Sequence, residues 1–172
     1  MFESAILSAA DKAGQYAELA AHARGLLHGE ANLIANAANF AALVYHALPG
    51  LNWCGFYFVD EAVQGGELVL GPFQGQPACV RIAFGRGVCG TAAATRTTQL
   101  VPDVHAFPGH IACDAASRSE IVVPLVRADG TLLGVWDVDS PEPARFDEDD
   151  RAGMQALCAV FLLACNEGGS PP

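Results

Sequence analysis

The apolar pattern changes period twice along this chain, and that change restricts the fold more than any other feature. Leu33, Ala37, Phe40, Ala41, Val44 and Leu48 recur at helical spacing and give one apolar face. Pro49-Gly50 ends that run. Beyond it the apolar residues gather in short runs rich in aromatic and β-branched side chains. Residues 52–60 read as a strand and 67–73 as its partner, with Gln64-Gly65-Gly66 as the turn. Residues 79–84, 121–126 and 131–139 read as further strands. The last two flank Asp129-Gly130, a pair that favours a tight hairpin because glycine tolerates the positive φ needed there. Helical spacing returns near Asp147 and continues to about Cys165, with Asp147, Glu148, Asp149 and Asp150 at its positive end. At the other extreme, Ser8 with Asp11 resembles a capping box before an Ala-rich helix that reaches about His28. Helices, then antiparallel strands, then a closing helix make an α+β fold rather than alternating β-α units.

The 172 residues fit one domain, with N-terminal helices in 1–50, sheet and loops in 51–140 and a closing helix in 145–166. Apolar residues make up 52% and charged residues 16%, enough to bury a sizeable core. The net charge of −10 and the lack of a Lys/Arg cluster argue against binding nucleic acid or an anionic membrane. The start, Met1-Phe2-Glu3-Ser4, lacks the basic flank of a signal peptide, and the apolar run at 159–165 is too short to span a bilayer. The expectation is a soluble cytoplasmic protein. In that reducing compartment six cysteines are not expected to be static staples. Buried thiols, metal ligands and redox groups are the alternatives.

Gly85-Arg86-Gly87-Val88-Cys89-Gly90 matches the dinucleotide fingerprint in form, after a strand and opening a helix over about residues 88–95. The fingerprint also needs a parallel strand next. Instead a loop of roughly 25 residues follows, with one short strand near Gln99, and loops of that length in compact domains are usually functional or mobile. The nucleotide reading is rejected in favour of a glycine nest, whose N–H groups face an anion or a thiolate.

Taken singly, the cysteines separate. Cys158 and Cys165 lie on the final apolar helix, and Cys54 sits beside Trp53 and Phe56; all three read as small core residues. Cys89 occupies the first turn of a helix, near Arg86. Helix N-termini and cations lower a thiol's pKa, so an activated thiolate and simple packing both stay open for it. Cys113 stands in the long loop between His110 and Asp114, where core filling explains it poorly. Cys79 alone is ambiguous. Zinc ligation by Cys79, Cys89, His105, His110 and Cys113 ranks below redox chemistry, because no Cys-x-x-Cys knuckle is present. No metal and no cofactor are expected.

Among the carboxylates, strand alternation puts Asp137 and Asp139 on the face that carries Leu133 and Val135, with Trp136 pointing the other way into the core. Carboxylates on an apolar face are costly unless paired or used. Paired, they raise one another's pKa and leave one able to donate a proton. Glu120 flanks the facing strand and can join them, whereas Asp139 can instead end its strand in water.

The segments Asn52-Trp53-Cys54-Gly55-Phe56-Tyr57, Gly71 to Ile82 around Cys79, Gly85 to Ala92 around Cys89, Pro102 to Ser117 around Cys113, and Gly134-Val-Trp136-Asp137-Val-Asp139-Ser140 resemble the free methionine-R-sulfoxide reductases. The resemblance covers nearly the whole chain, departing at Cys54, usually aliphatic, and Trp136, often leucine. It implies a GAF fold with a central antiparallel sheet of about six strands flanked by helices. It also implies reduction of free L-methionine-R-sulfoxide, thioredoxin as reductant and a homodimer. Carried over by position, Cys113 is the nucleophile, Cys79 a resolving cysteine and Cys89 a third cysteine able to form a disulfide. Trp53, Tyr57, Glu120, Asp137 and Asp139 fall on substrate-pocket positions. A GAF module that senses a small ligand without catalysis is the alternative, and a zinc-stabilised domain stands behind it.

Overall fold

A computed structural model describes residues 7–109 and 115–166. Asp11 caps the first helix, α1 (Lys12–Leu27), by accepting from the Gly14 N–H at 2.7 Å. Ser8 does not complete a capping box with it. Its hydroxyl donates to Glu18 Oε1 at 2.6 Å instead. The chain turns at Gly29, with φ +77°, and Asn32 caps α2 (Leu33–Ala47) through the N–H groups of Ile34 and Ala35.

Six antiparallel strands follow: β1 (Trp53–Asp60), β2 (Glu67–Gly75), β3 (Arg81–Ala83), β4 (Gln99–Val101), β5 (Ser119–Val126) and β6 (Leu132–Ser140). Their spatial order is β3-β2-β1-β6-β5-β4. The short helix α3 (Gly87–Thr95) lies between β3 and β4, a 3-10 turn spans Val104–Ala106, and α4 (Glu148–Asn166) closes the chain. This is an α+β fold on a six-stranded antiparallel sheet, as the change of period predicts. Among the described residues no parallel strand follows α3, so the Gly85–Gly90 match lacks the pairing a dinucleotide site needs. Among the described residues no helix is long and apolar enough to cross a membrane.

The sheet separates two cores. On one face α1, α2 and α4 cover Cys54, Phe56, Ile121, Val123, Trp136 and Val138. Phe40 meets the Trp136 ring edge-on at 5.0 Å, and Phe161 stacks on Phe56 at 4.7 Å. Such pairs add to what area burial alone contributes. Cys54 and Cys158 are buried in this core, as read from the sequence. The other face carries Trp53, Tyr57, Val122 and Val135 beneath α3. Leu133 departs from the expected alternation. Leu125 pairs with Gly134 and Val126 with Leu132, so a one-residue bulge moves Leu133 to the helix-covered core and Leu132 to the α3 side.

Close packing of α1 on α4 depends on Gly153, where a Cβ would run into the Tyr16 ring. Beside it, the Asp150 side chain is 1% exposed and accepts from Tyr16 Oη at 2.8 Å, Arg145 Nη1 at 3.4 Å, the Asp147 N–H at 2.9 Å and Lys12 Nζ. The acidic run at the start of α4 therefore supplies a buried ionic anchor as well as a favourable dipole partner. Removing one member of a buried, hydrogen-bonded ionic group leaves the others uncompensated. Asp150→Ala is expected to cost about 3 kcal/mol, and Tyr16→Phe about 1 kcal/mol, in urea unfolding. Parental midpoints in both variants would refute this anchor.

Candidate functional site

Strand register assembles the site. Trp53 on β1 faces Asp139 on β6, which faces Glu120 on β5. In the next row Gly55 faces Asp137, which faces Val122. Directly paired residues share a face, so Trp53, Glu120, Asp137 and Asp139 all project toward α3. Tyr57, two residues beyond Gly55, projects the same way. Asp139 is half-buried; Glu120 and Asp137 are buried. The five substrate-pocket residues read from the sequence thus belong to one sheet face.

Glycines shape this face. Trp53 stacks on Phe73 at 5.3 Å and on Tyr57 at 5.8 Å, forming a flat aromatic platform. A Cβ on Gly55 would come within 2.7 Å of Trp53 Cη2 and run into Phe73 as well, so the platform needs glycine there. The Trp53 indole N–H donates to Gln76 O at 3.1 Å. Across the pocket, Gly90 lets α3 approach β3, since a Cβ would run into Ala83 O. Val88, Cys89, Ala92 and Ala93 then pack toward the sheet.

That approach carries the Cys89 Sγ to 3.9 Å from Glu120 Oε1. Donor atoms of Cys89, Glu120 and Asp137 all lie within 4.8 Å of one another and are buried, a set able to hold a cation. Burial raises the Glu120 pKa well above the usual carboxylate range, reinforced by the nearby charges of Asp137 and Asp139. Burial also pushes Asp137 up to about 7, against hydrogen bonds from Cys89 and Glu120 that hold it down. Asp137 Oδ1 is buried with no hydrogen-bond partner among the described residues. Two such carboxyls this close titrate as a pair and retain a proton near neutrality. The hydroxyl of Tyr57 is likewise pushed up, first by burial and then by Asp137 and Cys89.

The activated-thiolate reading of Cys89 does not hold. Its pKa is raised, by burial first and by the charges of Asp137 and Glu120 next. Arg86, the expected cationic neighbour, is exposed and makes no side-chain cap bond. The dielectric of the site outweighs the helix start. Cys79 lies half-buried in the turn before β3, outside the strand predicted to contain it, and is disulfide-bonded. Cys54, Cys89, Cys158 and Cys165 are free thiols. Cys113, with His110 and Asp114, lies outside the described residues. Of the other zinc candidates, His105 is exposed on the 3-10 turn while Cys89 is buried on the inner face of α3.

The sequence reading missed Phe73 and Gly55, which complete the platform, and the approach of Cys89 to the carboxyls. The spacing of Val88, Cys89, Ala92 and Ala93 carried that last signal, because it marks one inward helix face.

Comparison with known proteins agrees with this architecture. The GAF domain family matches residues 23–164. A crystal structure of a protein described as a GAF sensor from Burkholderia vietnamiensis is 68% identical, covers 91% of this chain and 99% of its own, and has a TM-score of 0.84. The free methionine-R-sulfoxide reductase of Escherichia coli is 50% identical over 144 residues, 84% of either chain. The free methionine-R-sulfoxide reductase of Neisseria meningitidis, solved in complex with its substrate, is 45% identical with a TM-score of 0.87, over 96% of this chain and 99% of that one. The fold, the carboxyl-lined face and these likenesses agree: the chain belongs to the GAF family and, within it, to the free methionine-R-sulfoxide reductases.

Proposed function

We propose that this protein reduces the R-sulfoxide of free L-methionine to methionine through cysteine sulfenic acid and disulfide chemistry. The observation that carries the reading is the buried Glu120–Asp137 pair, with its raised proton affinity, beside the Trp53 platform. A sulfoxide is a poor electrophile until its oxygen takes a proton, and a buried carboxyl pair supplies one near neutral pH. Trp53, backed by Tyr57, takes the S-methyl group through sulfur–aromatic contact. Asp139 or Asp137 receives the substrate ammonium.

The cysteine roles follow the family resemblance. The Cys113 thiolate attacks the protonated sulfoxide sulfur, oxygen passes to Cys113 as a sulfenic acid, and methionine leaves. The Cys79 thiol attacks that sulfenic acid, forming a disulfide and releasing water. Cys89, a free thiol beside Glu120, is the third cysteine able to enter disulfide exchange. Thioredoxin, as dithiol donor, takes up the disulfide and returns both cysteines to thiols. The working form is a cytoplasmic homodimer of single-domain chains.

In a coupled assay with thioredoxin, thioredoxin reductase and NADPH, the R-sulfoxide of free methionine is consumed and the S form is not. Cys113→Ser lowers kcat by about a thousandfold or more, as expected on loss of a nucleophile. Ligand binding without turnover, unchanged in Cys113→Ser, would replace this reading with the sensory one.

A second expectation concerns pH. The folded pKa of Asp137, about 7, lies above its ordinary 3.8, so the folded state binds its proton more tightly than the unfolded chain. Its favourable contribution is therefore full below about pH 4 and is lost as pH rises through about 7. Asp137→Asn should match the parent in stability near the acid end and exceed it by about 1 kcal/mol or more above neutrality. In the parent, kcat/KM should fall above neutrality as the Glu120–Asp137 pair gives up its shared proton, and the variant should displace that limb and lose most of its activity. Equal stability curves from acid to alkaline pH would contradict this assignment.

A further inference from the structure

The corner formed by Asn52 and Trp53 touches both segments that lead to the proposed redox cysteines. Asn52 Nδ2 donates to Ser117 Oγ at 2.9 Å, and Ser117, only 5% exposed, follows Cys113 by four positions. The next residue, Trp53, donates its indole N–H to Gln76 O at 3.1 Å, three positions before Cys79. Backbone geometry fixes the corner itself. The Asn52 N–H donates to Asp139 O at 3.1 Å, and Arg118 N–H donates to Ser140 O at 2.8 Å. Gly75, at φ +122°, presses against the corner so closely that a Cβ would sit 2.5 Å from Asn52 O and 2.8 Å from Trp53 Cδ1.

We propose that Asn52, through its bond to Ser117, is a positioning residue that holds the Ser117 end of the Cys113 segment in fixed relation to the Gln76 turn before Cys79, and so favours disulfide closure between Cys79 and Cys113. The inference rests on the Cys79–Cys113 pairing of the proposed function. Two segments tied to adjacent residues, the last before β1 and its first, have less freedom to separate, so their thiols meet at a higher effective concentration. The side-chain bond of Asn52 goes to Ser117, so its contribution is read at the thiol step rather than at protonation of the sulfoxide. The indole of Trp53 serves twice, as one wall of the pocket and as the tether of the Cys79 turn.

Redox titration of the full chain against glutathione tests this without requiring turnover. Two protein thiols give up two electrons and two protons to glutathione disulfide, which becomes two glutathione molecules. Peptide mapping identifies which cysteines have joined. Loss of a bond of ordinary strength should lower the closure constant of the Cys79–Cys113 disulfide about fivefold to tenfold in Asn52→Ala and in Ser117→Ala. The double variant should fall no further than either single one. Ser117→Thr, which keeps the hydroxyl, should titrate within about twofold of the parent, as the same donor is satisfied. Parental titration in both alanine variants, or additive losses in the double variant, would overturn the proposal. If Asn52→Ala fails to fold, the two Ser117 variants decide alone, a parental constant in Ser117→Ala counting against the tie. A parent that forms no Cys79–Cys113 disulfide would instead refute the pairing assumed in the proposed function.

Discussion

Burial of carboxyl groups beneath a nine-residue helix is the constraint from which the α3 side of this protein follows. Glu120 and Asp137 are removed from water, so their charged forms are penalised and a proton is retained. Only a small, close-lying cover excludes water that well. Gly90 brings the α3 backbone against Ala83 O, and Ala92 and Ala93 keep the inward face thin. The cost of dry carboxyls must be offset elsewhere. The helix-covered face of the same strands does so, where the Phe40 and Phe56 rings meet each other, Trp136 and Phe161. Site and core are therefore alternate residues of one sheet. A one-residue slip of β6 would exchange Asp137 for Trp136 and destroy both faces together.

This dependence explains what could be read from the sequence and what could not. Strand alternation is a local property, so the shared face of Asp137 and Asp139 and the opposite direction of Trp136 were legible. So was the β5–β6 hairpin. Gly130 takes φ +84°, and Asp129 Oδ1 accepts from the Thr131 N–H at 2.8 Å. The bulge that turns Leu133 away from that face was not legible, because it depends on how β5 meets β6 rather than on β6 alone. The environment of Cys89 was hidden for the same kind of reason. Its position in a helix's first turn suggested a stabilised thiolate, but Glu120 and Asp137 arrive from strands 31 residues and more along the chain. The cap of α1 is a local signal, which the sequence placed on Ser8 rather than on Asp11; a pairing such as Asn52 with Ser117 has no local signature at all.

Among the described residues Asp137 Oδ1 has no donor, which under the proposed reaction bears on the preference for a free amino acid. A buried acceptor without a donor costs about 1–3 kcal/mol, and a ligand that supplies the donor recovers it. A free ammonium offers three N–H groups and a full positive charge, whereas a peptide-linked residue offers one neutral N–H at the same place. The charge also acts on the acid pair. A cation beside Asp137 favours its ionised form, which removes the competition that Asp137 and Glu120 exert on each other. In the proposed reaction Asp137 would then bind as a carboxylate, while Glu120 would keep the shared proton for the oxygen of the sulfoxide. Under the proposed reaction, substrate binding thus divides one coupled pair into an anion and an acid, and it does so only for a substrate that carries its own cation. Selectivity for the free amino acid and readiness of the proton become two consequences of the same buried pair.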